Sequence, residues 1–146
     1  MKLADDDGKP DGDIAELSTK AKFYRFVNDF KPRKISYTEE TVGGESFIIL
    51  SLQDAYEYMS KMTYVDNWES EMHEEFGFYS IDKWAATLMD AGFVIVEGSR
   101  TFHNPYIIEN RYKGKVLLLA KYGDELLPIP YPPTNMILVG EKPVVV

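Results

Sequence analysis

The hydrophobic period of this chain changes at Gly92-Phe93. Upstream, apolar residues recur three and four apart behind residues that cap helices. Downstream they collect into short runs separated by turn residues and prolines. A chain ordered this way cannot alternate strand and helix throughout. It predicts an α+β architecture of about four helices followed by a mostly antiparallel sheet. At 146 residues and 45% hydrophobic content it has room for one domain with a real core. Residues 1–13 read as a flexible acidic leader and residues 14–146 as a single α+β domain.

The first helix is expected from Asp13, with Glu16 three residues on, to Phe30 before Pro32. Ile14, Leu17, Ala21 and Tyr24 share one face; Phe23, Phe26, Val27 and Phe30 lie nearly opposite at ~100° per residue. Such a helix either breaks early or is covered on both sides. In the second case Phe23, Phe26 and Phe30 would meet a missing domain or a second copy. Residues Ile35 to Thr41 and Phe47 to Leu50 form a hairpin around Gly43-Gly44. Ser51 starts a second helix with Leu52, Ala55, Tyr56, Met59 and Met62 as its apolar stripe. A third is expected from Asp66 to about Gly77, with Val65, Trp68, Met72 and Phe76 on one face. A fourth starts at Ser80, with Tyr79 and Trp84 as a staple, and closes at Gly92. Strands follow at Phe93 to Ser99, Lys115 to Lys121 and Asn135 to Glu141. Pro128, Pro130, Pro132 and Pro133 bar their segment from the centre of a sheet.

Composition and spacing exclude several chemistries. The net charge of -8 repels phosphate backbones and anionic membranes, so neither nucleic acid nor membrane is an expected partner. Without Cys there is no disulfide, thiolate nucleophile or Cys-based zinc site. With no signal-like segment either, the cytoplasm is the expected compartment. No two of the ten glycines are separated by a single residue, which removes a G-x-G dinucleotide loop. The run Asp5-Asp6-Asp7-Gly8 fails the calcium-loop register, because Leu3 would be the first ligand. Glu69 and His73 stand four apart on the third helix, but two ligands do not make a metal site.

His103 and Asn104 lie in an aromatic loop, Phe102 to Tyr106, where Asn104-Pro105 is turn chemistry. Glu109 and Arg111 would share a face if their segment is a strand, with Arg111 suited to a carboxylate or phosphate. An ion pair between the two is the simpler expectation. A small independent enzyme would have to be built around His103, Asn110, Arg111 and Tyr131. None of these carries an acid, base or nucleophile motif.

Phe78-Tyr79-Ser80, Trp84, Ala91-Gly92-Phe93, Val94-Ile95-Val96 and the run from Tyr131 to Pro143 together resemble the closing part of a class I S-adenosylmethionine-dependent methyltransferase. The likeness covers a little under half the chain. It implies that Ser80 to Ala91 is the helix before the penultimate strand, Phe93 to Ser99 that strand, and Asn135 to Glu141 the reversed last strand. Between them lies an insertion holding Asn104, Asn110, Arg111 and Tyr131. Residues Ile14 to Phe76 would be an enlarged insertion over the substrate. The glycine-rich cofactor loop and the ribose-binding acid have no counterpart, so no cofactor residue carries over. The resemblance thus implies a substrate-recognition and sheet-completing part, inactive alone. S-adenosylmethionine would bind only with an upstream half, and His103, Asn104, Asn110, Arg111 and Tyr131 are candidate substrate contacts. The alternative is a non-enzymatic binding or dimerisation module that uses aromatic surface patches.

Overall fold

The computed structural model describes residues 1–4, 9–76 and 80–144. Its elements are β1 (Lys2–Leu3), α1 (Thr19–Asp29), β2 (Tyr37–Val42), β3 (Glu45–Leu50), α2 (Leu52–Lys61), α3 (Trp68–Glu71) and α4 (Ile81–Asp90). Then come β4 (Val94–Ile95), β5 (Arg100–Phe102), α5 (Pro105–Ile107), β6 (Val116–Leu117), β7 (Leu119–Tyr122), β8 (Glu125–Pro128), β9 (Asn135–Ile137) and β10 (Gly140–Glu141). All strand pairings among the described residues are antiparallel. The fold is α+β.

The two-faced pattern of the first helix resolves as a break. Asp13 caps a separate 3-10 turn, Ile14–Glu16, through the Ala15 N–H, and Leu17 is extended. Ser18 then caps α1 by accepting from the Ala21 N–H at 3.1 Å. Ile14 and Leu17 therefore do not belong to the helix that carries the phenylalanines. Phe23 and Phe26 are fully buried and Phe30 is 6% exposed, inside the chain's own core. This corrects the expectation that they form a partner surface. The Phe23 ring meets Tyr37 and Tyr58 edge-on, each at 5.2 Å. Burying a ring of this size stabilises by about 1.5–3 kcal/mol, and no such surface is left for another chain.

The hairpin between α1 and α2 follows the sequence. Gly43 and Gly44 sit at φ +61° and +83°, the pair of positive values a type I′ turn requires. A Cβ on Gly44 would meet nothing within 4 Å, so any penalty is purely one of backbone conformation. Gly44→Ala is expected to cost roughly 1–2 kcal/mol in urea unfolding.

The leader is corrected at its start. Met1 is 6% exposed and Leu3 7%. The Met1 ammonium donates to the Ile48 carbonyl at 2.9 Å, and the Ile48 N–H donates to the Met1 carbonyl at 2.9 Å. On its other side β1 pairs with β6, Lys2 opposite Leu117. The first residues thus lie between β3 and β6, packed on the cluster of Phe23, Phe26, Tyr58 and Met59. The Asp5 to Gly8 run lies outside the described residues.

The third helix is shorter than its periodicity suggests. It ends at Glu71 because outside donors take its last carbonyls: Lys61 Nζ bonds the Glu71 carbonyl at 2.6 Å, and the Lys31 N–H bonds that of Met72 at 2.8 Å. Trp68 and Met72 are buried as expected, whereas Phe76 is 39% exposed. Gly77 and Tyr79 lie outside the described residues.

The closing part forms a separate layer. Ser80 caps α4 through the Lys83 N–H at 3.3 Å. β4 pairs with β10, and β5 pairs with β9. The two ladders are one ribbon interrupted by a bulge, with four residues, 96–99, facing two, 138–139. Ser99 Oγ fills the gap, accepting from the Val139 N–H at 3.0 Å and donating to the Val96 carbonyl at 3.1 Å. A Cβ on Gly140 would lie 3.2 Å from the Phe93 Cβ, so the ribbon packs here through the absence of a side chain. No residue of α4 is buried.

Candidate functional site

The N-terminal end of α4 and the segment 132–136 face each other across a cleft of about 540 Å³. Ser80, Ile81 and Trp84 line one side. Pro132, Pro133, Thr134, Asn135, Met136 and Thr101 line the other, with Tyr56 and Phe76 also in the wall. Residues that carry the sequence resemblance, Ser80, Trp84 and the run from Pro132 to Met136, thus come together in space. The walls are mostly apolar and aromatic, with hydroxyl and amide groups from Ser80, Thr101, Thr134 and Asn135. That composition suits a small molecule with an apolar body and few polar groups.

The Phe76 wall is held by buried charge that sequence reasoning missed. Glu57 and Lys61 are both fully buried. Lys61 Nζ lies 3.4 Å from Glu57 Oε1 and 3.9 Å from the centroid of the Phe76 ring. The Phe76 N–H donates to Glu57 Oε1 at 3.1 Å and Oε2 at 3.3 Å. One residue earlier, Glu75 bonds Arg33 Nε at 2.6 Å, and Arg33 Nη1 bonds Asp54 Oδ1 at 2.5 Å. Segment 72–76 is thereby strapped onto α2. Burial raises the Glu57 carboxyl above the ordinary glutamate range, and the Phe76 N–H and Lys61 offset part of that rise. The only sequence signal was Glu57 and Lys61 four apart in helical register, a spacing usual on exposed faces.

The candidate substrate contacts do not converge on this cleft. A His103 ring nitrogen, Nε2, lies 3.0 Å from the Tyr131 carbonyl. The Asn104 N–H donates to Thr134 Oγ1 at 2.7 Å, and its side chain caps α5 through the Tyr106 N–H. These contacts close the neck of the excursion 103–134. Tyr131 points back, donating its hydroxyl to the Val116 carbonyl at 2.6 Å, and burial raises the pKa of that hydroxyl. Tyr131→Phe is expected to lower stability by about 1 kcal/mol, read by thermal unfolding.

The Glu109–Arg111 strand expectation is corrected. The segment is α5 continued by a π-helical turn, Ile108–Tyr112. Asn104 caps it and Pro105 occupies its first turn, which outweighs the strand preference of Ile107-Ile108. Helical geometry sends Glu109 to Lys113 at 3.0 Å and Asn110 Nδ2 to the Tyr106 carbonyl at 2.9 Å. The Arg111 guanidinium stacks 5.6 Å from the Tyr64 ring. His73 Nδ1 lies 2.8 Å from the Glu69 carbonyl, so that imidazole faces main chain.

No helix among the described residues is long and apolar enough to cross a membrane. Comparison with protein-family models, curated proteins and solved structures gave no match to this chain.

Proposed function

We propose that this chain is the substrate-side, sheet-completing part of an S-adenosylmethionine-dependent methyltransferase, and that it transfers no methyl group by itself. The observation that carries the reading is the order of the closing layer. Helix α4 is followed by a strand region, 94–102, and the returning region 135–141 lies antiparallel against it. The excursion 103–134 separates the two, as the resemblance requires. The layer also keeps apolar surface open: Met89, Val94, Phe102, Met136, Ile137 and Val139 are each at least 39% exposed. Large apolar side chains left open on both strands and on α4 leave room for another structure to cover them. In this reading that structure is the cofactor-binding half, and the cleft beside Trp84 receives the methyl acceptor. The test is radiolabelled methyl transfer from S-adenosylmethionine to a panel of small acceptors. The expected result is no transfer above buffer; turnover that persists through repurification would sink the reading.

The same open surface favours a second reading, a non-enzymatic binding or dimerising module. That module would use Trp84, Met89 and Met136, since Phe23, Phe26 and Phe30 are buried. Light scattering separates the two readings. Concentration-dependent association abolished by Met136→Ser supports the module, and a strict monomer counts against it.

A further inference from the structure

Ser18 and Thr19 at the start of α1, Thr63 just after α2 and Lys115 just before β6 surround a pocket of about 340 Å³. Lys22, one turn into α1, lines the same pocket, and none of the lining residues is acidic. The pocket shares no residue with the cleft beside Trp84.

Two cations therefore border one space without a counter-charge. Neither Lys22 nor Lys115 forms an ion pair among the described residues. The lysines nearby in the same ribbon differ: Lys2 pairs with Glu45 and Lys113 with Glu109. The Lys115 ammonium donates to the Asn110 carbonyl at 3.0 Å, which occupies one N–H and neutralises no charge. Lys22 is half-buried. Burial lowers its pKa, and the Lys115 charge lowers it further. Both effects belong to a cation that lacks an anion.

A third group favours the same kind of ligand. Thr63 lines the pocket, and its hydroxyl oxygen is buried with no hydrogen-bond partner among the described residues. An acceptor in the pocket would remove the cost of that unpaired hydroxyl. The first turn of α1, capped by Ser18, adds the positive end of its dipole.

These donors discriminate among anions. Two ammonium charges match a phosphate monoester, which carries about -1.5 to -2 at neutral pH, better than a singly charged carboxylate. Separate ammonium and hydroxyl donors suit the several oxygens of a phosphate, whereas the planar fork that matches a carboxylate is arginine's. Leu17, Met62 and Val65 give the pocket an apolar wall, and its volume lies in the range of small-molecule sites. The net charge of -8 disfavours a polyanion such as nucleic acid. We propose that this pocket binds a small phosphomonoester, its phosphate held by Lys22, Lys115 and the Thr63 hydroxyl and its organic part against Leu17, Met62 and Val65. The site does not rest on the methyltransferase reading, and its test involves no methyl transfer.

The probe is n-butyl phosphate, titrated into the intact chain and followed by NMR of the lysine side-chain methylenes and the threonine methyls. Signals of Lys22, Lys115 and Thr63 should shift together and saturate. Inorganic phosphate should move the same signals with lower affinity. Pentanoate, with a single charge, should bind about tenfold more weakly than butyl phosphate. Lys22→Met should weaken butyl phosphate about tenfold, the loss of one charged hydrogen bond. It should leave the unliganded unfolding transition in place, because no acid partner is lost. Thr63→Val should weaken binding about fivefold. The absence of a saturable shift up to about 10 mM butyl phosphate, well beyond the millimolar limit of weak binding, would overturn the proposal. So would full affinity in both Lys22→Met and Lys115→Met, or equal affinity for pentanoate. Binding of a phosphoserine peptide without binding of butyl phosphate would overturn the small-ligand assignment.

Discussion

Replacing Lys61 by methionine is expected to destabilise the chain by about 3–5 kcal/mol, the usual effect of removing one partner from a buried ion pair. The substitution leaves the fully buried Glu57 carboxylate with only the Phe76 N–H, and it strips the Glu71 carbonyl of its donor. The loss should be pH-dependent in a defined direction. The Glu57 carboxyl has its folded-state pKa raised above the ordinary 4.5. A raised carboxyl holds its proton longer in the folded state than in the unfolded state. Its contribution to stability is present below 4.5 and is lost as pH rises through the folded value. In Lys61→Met the counter-charge is gone, so the loss on going from acid to neutral pH should be steeper. Urea unfolding at both pH values checks this. The double variant Glu57→Gln with Lys61→Met removes the charge on both sides and should recover more than half of the lost stability. A Lys61→Met variant as stable as the parent at neutral pH would mean that the pair is not buried as described.

Phe23→Ala should cost about 3–5 kcal/mol, the range for truncating a fully buried aromatic ring. Phe23 lies at the centre of an aromatic group with Tyr24, Tyr37 and Tyr58, at ring separations of 5.8, 5.2 and 5.2 Å. Truncation opens a cavity that these neighbours fill only in part. Trp84→Ala, on a residue 38% exposed, should cost less than about 1 kcal/mol in the same chain. The contrast separates a core role for α1 from a surface role. If Phe23→Ala left stability intact but changed oligomeric state, α1 would be an interface after all.

The elements that could be read from sequence are those fixed by neighbouring residues. Ser18, Ser51 and Ser80 each cap a helix from within three residues, and Gly43-Gly44 sets its hairpin alone. Of those caps, Ser51 and Ser80 were the expected helix starts; Asp13 was expected for the first helix, where Ser18 serves. What could not be read depends on partners far along the chain. Helix α3 stops early because Lys31 and Lys61 take its carbonyls. Met1 to Leu3 look like a polar leader until Ile48 and Val116 enclose them. The closing ribbon was legible in part: its helix cap and Asn135 to Glu141 are where expected, but the strand expected over Phe93 to Ser99 holds only at Val94–Ile95, breaks at 96–99 and resumes at Arg100–Phe102. The strand expected around Glu109 and Arg111 does not form: Ile107-Ile108 suggests one, while Asn104 and Pro105 start a helix. Once that segment is helical, Arg111 turns to Tyr64 and the expected face no longer exists.

Calorimetric titration of S-adenosylmethionine into the intact chain tests most directly whether the cofactor site lies elsewhere. The glycine spacing excludes the usual cofactor loop from these residues. The expected result is no saturable heat up to about 1 mM ligand, the level at which binding free energy falls to about -4 kcal/mol. A saturable isotherm in the micromolar range would contradict it and place a cofactor site within this chain.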